Sequence, residues 1–360
     1  MKNKHIILLL ILIAGLNALA ILYFFSESIE RSDTIRYVQT IEYFWGKTAQ
    51  PSLASLVKPL SVMTASLIAP LTTPRGALFL QNLFFYFASI ILVFKIIERL
   101  YFNRKQAFYG AVLFMASFPV LANGLAFLTD MTGWFFCLLV SYLTLRFYSK
   151  PNLKIALLAG FLSGIGFLFK ESGGAGAVLF VFLILISKKF LWREKIRYGF
   201  IFSLCMVAPI LLSVFWIAHA FDYSYLDWYK ANLASGNKNY NLINIIQQLA
   251  IMFLLGWVFV LRGVWLEWKE KQEINERKLI LSAMIPLFFI GFLWPMPVAR
   301  VLFLGILPLL LLASRGLIIR GKTWLELSLL SLFVIVNYSL PNIFSIADLD
   351  KWLVLILSKI

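Results

Sequence analysis

The segment ERSDTIRYVQTIEYFWGKTAQPSLASLVK, residues 30–58, gathers Asp33, Arg36, Tyr37, Glu42, Tyr43, Trp45 and Lys58 into one short polar stretch behind an apolar run. Two later stretches, LTDM (128–131) and FKES (169–172), set Asp130, Lys170 and Glu171 directly against apolar runs, and Arg300 precedes another. Ionisable groups at membrane depth are costly unless paired or hydrated, which makes them functional candidates. Their chemistry divides by charge. A positioned carboxylate can take the proton of a hydroxyl and turn it into a nucleophile. Lys and Arg can hold a developing anion through charge-assisted hydrogen bonds. The structural alternative is a set of interfacial charges that pair with one another and fix helix packing, or that snorkel from a surface helix.

The elements that must position these residues are membrane spans. With 61% hydrophobic and 14% charged residues over 360 positions, the chain is too apolar for a soluble globule and reads as an all-α, polytopic integral membrane protein. Residues 6–25 form an apolar run of the length needed to cross about 30 Å of hydrocarbon, and further runs lie near 76–97, 107–123, 132–148, 155–169, 174–187, 198–218, 247–261, 279–294, 301–314 and 323–339. That predicts about eleven spans in one domain, 1–360, with a first outer loop at 26–58 and no separate soluble C-terminal domain. Within that loop, residues 32–45 predict an amphipathic helix along the bilayer surface, with Ile35, Val38, Ile41 and Trp45 on its apolar face. The first run is longer than a signal-peptide core and no A-x-A site follows it, so it reads as a span.

Alternating the loops from a cytoplasmic N-terminus puts 22 of the 33 basic residues inside and 11 outside, as the positive-inside rule requires. The net charge of +16 is then topology and not a nucleic-acid footprint, since no soluble basic domain supplies a groove of stacking residues. The same sorting places Asp33, Lys58, Asp130, Lys170, Glu171, Asp222, Asp227 and Arg300 at the outer edge of the membrane, with Lys238 facing out in a long loop. Inside, residues 265–278 read as a solvated helix laced by Glu and Lys at helical spacings. Cys137 and Cys205 both fall in apolar runs and suggest neither disulfide nor thiolate metal site. There is no GxxxxGK[ST] or GxGxxG for a nucleotide, and Gly173, Gly174 and Gly176 read as small residues that allow close helix packing. His219 lacks an HxxxH or HExxH context and reads as an interfacial hydrogen-bonding residue.

In their order, these features resemble the GT-C membrane glycosyltransferases, the group that includes protein O-mannosyltransferases and aminoarabinose transferases. Ser32-Asp33-Thr34 with Tyr37 and Gly46 is similar to the family's first outer-loop motif, and Lys58-Pro59-Leu60 to the basic-Pro-Pro-Leu element, with one proline missing. Leu128-Thr129-Asp130 resembles the second acid, residues 160–174 the glycine-spaced stretch ending in Lys-[Glu/Pro], and residues 300–316 the late R-[YF]-L span. Asp33 is followed by Thr where the mannosyl and aminoarabinosyl enzymes carry a second acid.

The resemblance implies transfer of a sugar from a polyprenyl phosphate to an acceptor on a glycan, lipid or protein, at the outer face of a cytoplasmic membrane. A phosphate leaving group is already stable as an anion, so the reaction asks for a cationic clamp more than a strong acid. Lys58, Lys170 and Arg300 are the candidates for that clamp, with Tyr37 as a further substrate-binding residue. Asp33 is the first candidate for the base that activates the acceptor and Asp130 the second; Glu171 is a candidate ligand for a hard divalent cation. A single, inverting displacement is expected, because no second carboxylate is assigned as nucleophile. A transporter or flippase of lipid-linked sugars, or a non-catalytic subunit of an envelope-glycan assembly complex, would use similar residues. A transporter would often show internal repeats, and the sequence shows no period.

Overall fold

The computed structural model describes residues 3–236, 242–270, 276–294 and 298–343, and among these every regular element is a helix. Lys238, Lys271 and the segment 351–360 lie outside the described residues. The chain opens with α1 (Asn3–Phe24), and its first loop folds into three short helices, α2 (Ser26–Ile29), α3 (Thr34–Phe44) and α4 (Leu53–Leu56). Then follow α5 (Pro59–Ile68), α6 (Pro74–Tyr101), α7 (Arg104–Met115), α8 (Asp130–Ser149), α9 (Leu153–Phe169), α10 (Gly176–Ile186) and α11 (Trp192–Phe221). The last third comprises α12 (Tyr225–Gly236), α13 (Leu242–Phe253), α14 (Gly256–Lys269), α15 (Glu276–Phe289), α16 (Ala299–Leu302), α17 (Ile306–Leu317) and α18 (Thr323–Ile343).

Five segments, Lys4–Phe24, Pro74–Tyr101, Asp130–Ser149, Trp192–Phe221 and Ala299–Leu317, are long and apolar enough to cross a membrane. Several of the other predicted spans fold as shorter apolar helices. The run at 107–123 ends as a helix at Met115, and Pro119 then leads into a π turn at Val120–Gly124. The run at 247–261 is not one straight span: α13 and α14 meet at a bend of 85°, where Leu254 takes a left-handed φ of 42°. Residues 59–71 were not expected to be a helix of this kind and form one, because Pro59 starts it at N1 and its polar side chains turn inward. Gln81 donates to Ser61 Oγ at 3.0 Å, Thr64 donates to Gln81 Oε1 at 2.7 Å, and Trp45 Nε1 donates to Ser66 O at 3.0 Å.

The predicted helix at 32–45 forms as α3 and buries Val38 and Ile41 of the expected face, but not Ile35. Ile35 is 64% exposed, and the inward stripe is Thr34, Tyr37, Val38 and Ile41. Tyr37 and Ile41 pack with Val62 and Ala65 of α5 and with Leu128, which fixes the helix's rotation. The inner segment 265–278 also departs from a solvated helix. Glu267 is buried, and Glu267 and Glu270 pair with Arg277 and Arg315 from other helices.

Close helix contact depends on small residues. A Cβ at Gly160 would lie 2.4 Å from Phe202 O and one at Gly164 2.3 Å from Met206 O, so α9 and α11 touch backbone to backbone. A Cβ at Gly133 would lie 2.1 Å from Ser172 Oγ, so α8 can press against the FKES turn only without a side chain there. Antiparallel packing of α8 on α9 then brings Asp130, the first residue of one, beside Lys170, which follows the last residue of the other.

Candidate active site

The seven residues singled out from the sequence, Asp33, Tyr37, Lys58, Asp130, Lys170, Glu171 and Arg300, come together at one end of the bundle. Asp33 stands at the N-cap position of α3 without capping it, so its carboxylate is left for side chains. It lies 3.6 Å from Arg36 and 3.5 Å from Arg300. Arg300 sits between two acids, with its other terminal nitrogen 3.6 Å from Asp130. Its helix, α16, is a single turn, and the Ala299 N–H donates to Gln248 Oε1 of α13 at 2.8 Å, which anchors that turn.

Asp130 and Lys170 form the tightest pair, at 2.9 Å, and are 2% and 9% exposed. Asp130 thus faces two cations, Lys170 and Arg300, while Asp33 keeps 36% of its side chain open. The two acids therefore stand in opposite environments. Lys58, just before the proline that starts α5, donates to Tyr37 Oη at 3.3 Å and lies 3.7 Å from Glu171. Its ammonium also stands 5.2 Å from the centre of the Trp228 ring. Burial pulls the pKa of Lys58 down, but Glu171 and then Tyr37 outweigh it and raise the pKa above the ordinary lysine value. Tyr37 is fixed in turn, since its hydroxyl lies 3.3 Å from Thr129 Oγ1.

Two cavities meet here. The smaller, of about 100 Å³, is polar and includes Asp33, Arg36, Tyr37, Lys58 and Trp228 in its lining. The larger, of about 270 Å³, is walled by Asp130, Phe167, Tyr225, Ile290, Leu293 and Leu304 among others. Lys170, Glu171, Trp294, Arg300 and Val301 line both and form the boundary they share. Four cations, Arg36, Lys58, Lys170 and Arg300, face three carboxylates, so the site carries a surplus positive charge for an anion.

Sequence reasoning missed the aromatic wall. Trp228 and Trp294 lie 5.3 Å apart, with Tyr225 5.1 Å from Trp228 and Tyr229 6.1 Å from Trp294. The i, i+3 and i+4 spacing of Tyr225, Trp228 and Tyr229 was the available signal. Arg31 was also missed; it donates to Ala122 O at 3.1 Å and ties the first loop to the segment leading into Asp130. Asp222 and Asp227 do not join the site. Asp222 ends α11 in a left-handed conformation, and Asp227 accepts from Ser224 Oγ at 2.6 Å. The charged partner of Glu171, the candidate cation ligand, is the Lys58 ammonium at 3.7 Å. Among the described residues no three His, Cys, Asp or Glu converge on a metal position.

This fold and site define an all-α, multi-pass membrane protein with a charged, aromatic-walled site at one end of its bundle. Residues 59–216 match the family model of dolichyl-phosphate-mannose-protein mannosyltransferase. Among solved structures, the chain is similar to ArnT from Cupriavidus metallidurans bound to undecaprenyl phosphate, with a TM-score of 0.65 and 13% sequence identity over 90% of this chain. The chain spans 62% of that protein's length. No curated protein matches the sequence.

Proposed function

We propose that the chain is a glycosyltransferase that moves a sugar from a polyprenyl-phosphate-linked donor to an acceptor hydroxyl of a glycan, lipid or protein, at the outer face of a cytoplasmic membrane. The observation that carries this reading is the wall of Lys170 and Arg300, which stands between an apolar cavity and a polar one. An amphiphilic donor needs such a boundary. Its lipid end would lie against Phe167, Ile290, Leu293 and Leu304, and its phosphate would meet the cations at the wall. The match to a mannosyltransferase family and the likeness to a protein solved with undecaprenyl phosphate support this assignment.

The chemistry follows from the two acids' surroundings. The phosphate leaves as an anion, and Lys170, Arg300 and Lys58, already in place, stabilise its growing charge without reorganisation. Asp33, open to the polar cavity, takes the acceptor's proton. Asp130, locked between Lys170 and Arg300, holds the clamp in shape and is a poor proton acceptor. With one base and no second carboxylate free to act as nucleophile, a single displacement with inversion is the natural course.

The test is Asp33→Asn, assayed for donor binding and single-turnover transfer in nanodiscs. A general base is typically worth about 10²- to 10⁴-fold, so transfer should fall by that factor while the donor still binds. Normal transfer by Asp33→Asn would remove it from the base role. Transport of a lipid-linked sugar without any transfer in the wild type would favour the flippase reading instead.

A further inference from the structure

The end of the bundle opposite Asp33 and Asp130 holds a second charged cleft, formed where α6 turns into α7. It has a volume of about 430 Å³ and is lined by Lys95, Glu98, Arg99, Phe102, Arg104 and Tyr142. Three cations face one carboxylate there. Glu98 is shared between Lys95 at 3.2 Å and Arg104 at 3.3 Å. Arg99 has no carboxylate partner among the described residues, and its Nε is buried without a hydrogen-bond acceptor. A second cleft, of about 480 Å³, meets the first at Arg99 and Phe102 and is lined by Leu100, Leu145 and Ile280 on one side and by Glu276 and Arg277 on another.

Phe102 is the second anomaly. It ends α6 at a φ of 52°, a left-handed conformation that glycine or asparagine takes with least strain, and it is 90% exposed. An exposed aromatic ring at the end of a membrane-crossing helix is placed to insert among lipid headgroups. The 28 residues of α6 reach roughly 42 Å, longer than the roughly 30 Å of hydrocarbon, so the charged turn at its end stands at headgroup depth. A basic cleft at that depth, with apolar surface on one side, fits an amphiphilic anion better than a soluble one.

We infer that this cleft is a binding site for the phosphate headgroup of an anionic phospholipid, with Arg99 as its main phosphate ligand, Lys95 and Arg104 flanking it, and Phe102 against the glycerol and upper acyl region. Native mass spectrometry of the full chain, with phosphatidylglycerol, phosphatidylcholine or inorganic phosphate added, tests it. Wild type should retain one phosphatidylglycerol in preference to phosphatidylcholine. Arg99→Gln should weaken that retention by roughly 10- to 100-fold, the loss of one charge-assisted contact. Phe102→Gly, which relieves the left-handed strain and so keeps the fold, should weaken it as well. Lys154→Gln, an exposed cation outside the cleft's lining, should leave it unchanged. Should Arg99→Gln fail to fold, Phe102→Gly carries the test. Equal retention of the two lipids, equal effects of Arg99→Gln and Lys154→Gln, undiminished retention by Phe102→Gly, or displacement of the lipid by inorganic phosphate at matched concentration would each overturn the inference.

Discussion

Replacing Asp130 by Asn separates the two acids of the site, because their surroundings set costs of different kinds. Asp130 is 2% exposed and holds Lys170, itself 9% exposed, at 2.9 Å. The amide keeps the shape but leaves a buried ammonium without its counter-charge. Breaking a buried pair in this way costs about 3 to 5 kcal/mol, which is more than two decades in a folding equilibrium. Arg300 also loses one of its two acids and swings toward Asp33, so donor binding should weaken along with stability. Asp33→Asn is the contrast. Its side chain is 36% exposed and its two pairs are loose, at 3.5 and 3.6 Å. Loose, part-exposed pairs are worth about 0 to 1 kcal/mol, so its thermal midpoint should barely move while turnover collapses. Thermal unfolding in detergent, donor binding and single-turnover transfer, measured on both variants, give a pattern and not a single number. If Asp130→Asn kept wild-type stability and donor binding yet lost turnover as fully as Asp33→Asn, Asp130 would be the base and the assignment of roles would be reversed.

Three further outcomes follow from the same geometry. Lys58→Met should lower the thermal midpoint by leaving the half-buried Glu171, whose Oε2 is enclosed, unpaired, and adding Glu171→Gln should restore part of it; a double variant worse than the sum of the singles would contradict the pairing. Because the pKa of Lys58 is raised on folding, its stabilising charge is fully present below the unfolded value near 10.4 and is lost only as pH climbs past the higher folded value, so donor binding should stay flat from pH 7 to about 10; a loss near pH 8 would show that the charge is not held this way. Arg300→Ala should weaken donor use by roughly 10- to 100-fold while a chelator leaves the wild-type rate unchanged, and a rate restored only by added divalent cation would place a metal in the site after all.

Much of the architecture was legible before any coordinates. Apolar runs near the length of a bilayer require helices, because backbone groups in hydrocarbon must satisfy one another. Alternation of loops then sends residues from distant parts of the chain to one edge, and six of them, Asp33, Lys58, Asp130, Lys170, Glu171 and Arg300, line the two cavities, whereas Asp222 and Asp227, sorted to the same edge, do not. What the chain could not reveal by itself is rotation. A helix that is apolar on every side carries no phase in its pattern, so nothing in the sequence says which face meets which neighbour. Even in the amphipathic α3 the pattern fixed the stripe only in part: Val38 and Ile41 turn in as expected, but Ile35 turns outward and Tyr37 takes its place. Pairing across long separations was equally hidden: Arg300 reaches Asp33 and Asp130, and Trp228 comes to stand over Lys58, only because α12 and α16 pack at the site. The difference between the two acids, one open and one sealed between cations, is likewise a property of packing. Residue type names a carboxylate, but the tertiary structure sets its solvent and its partners, and those decide what it can do.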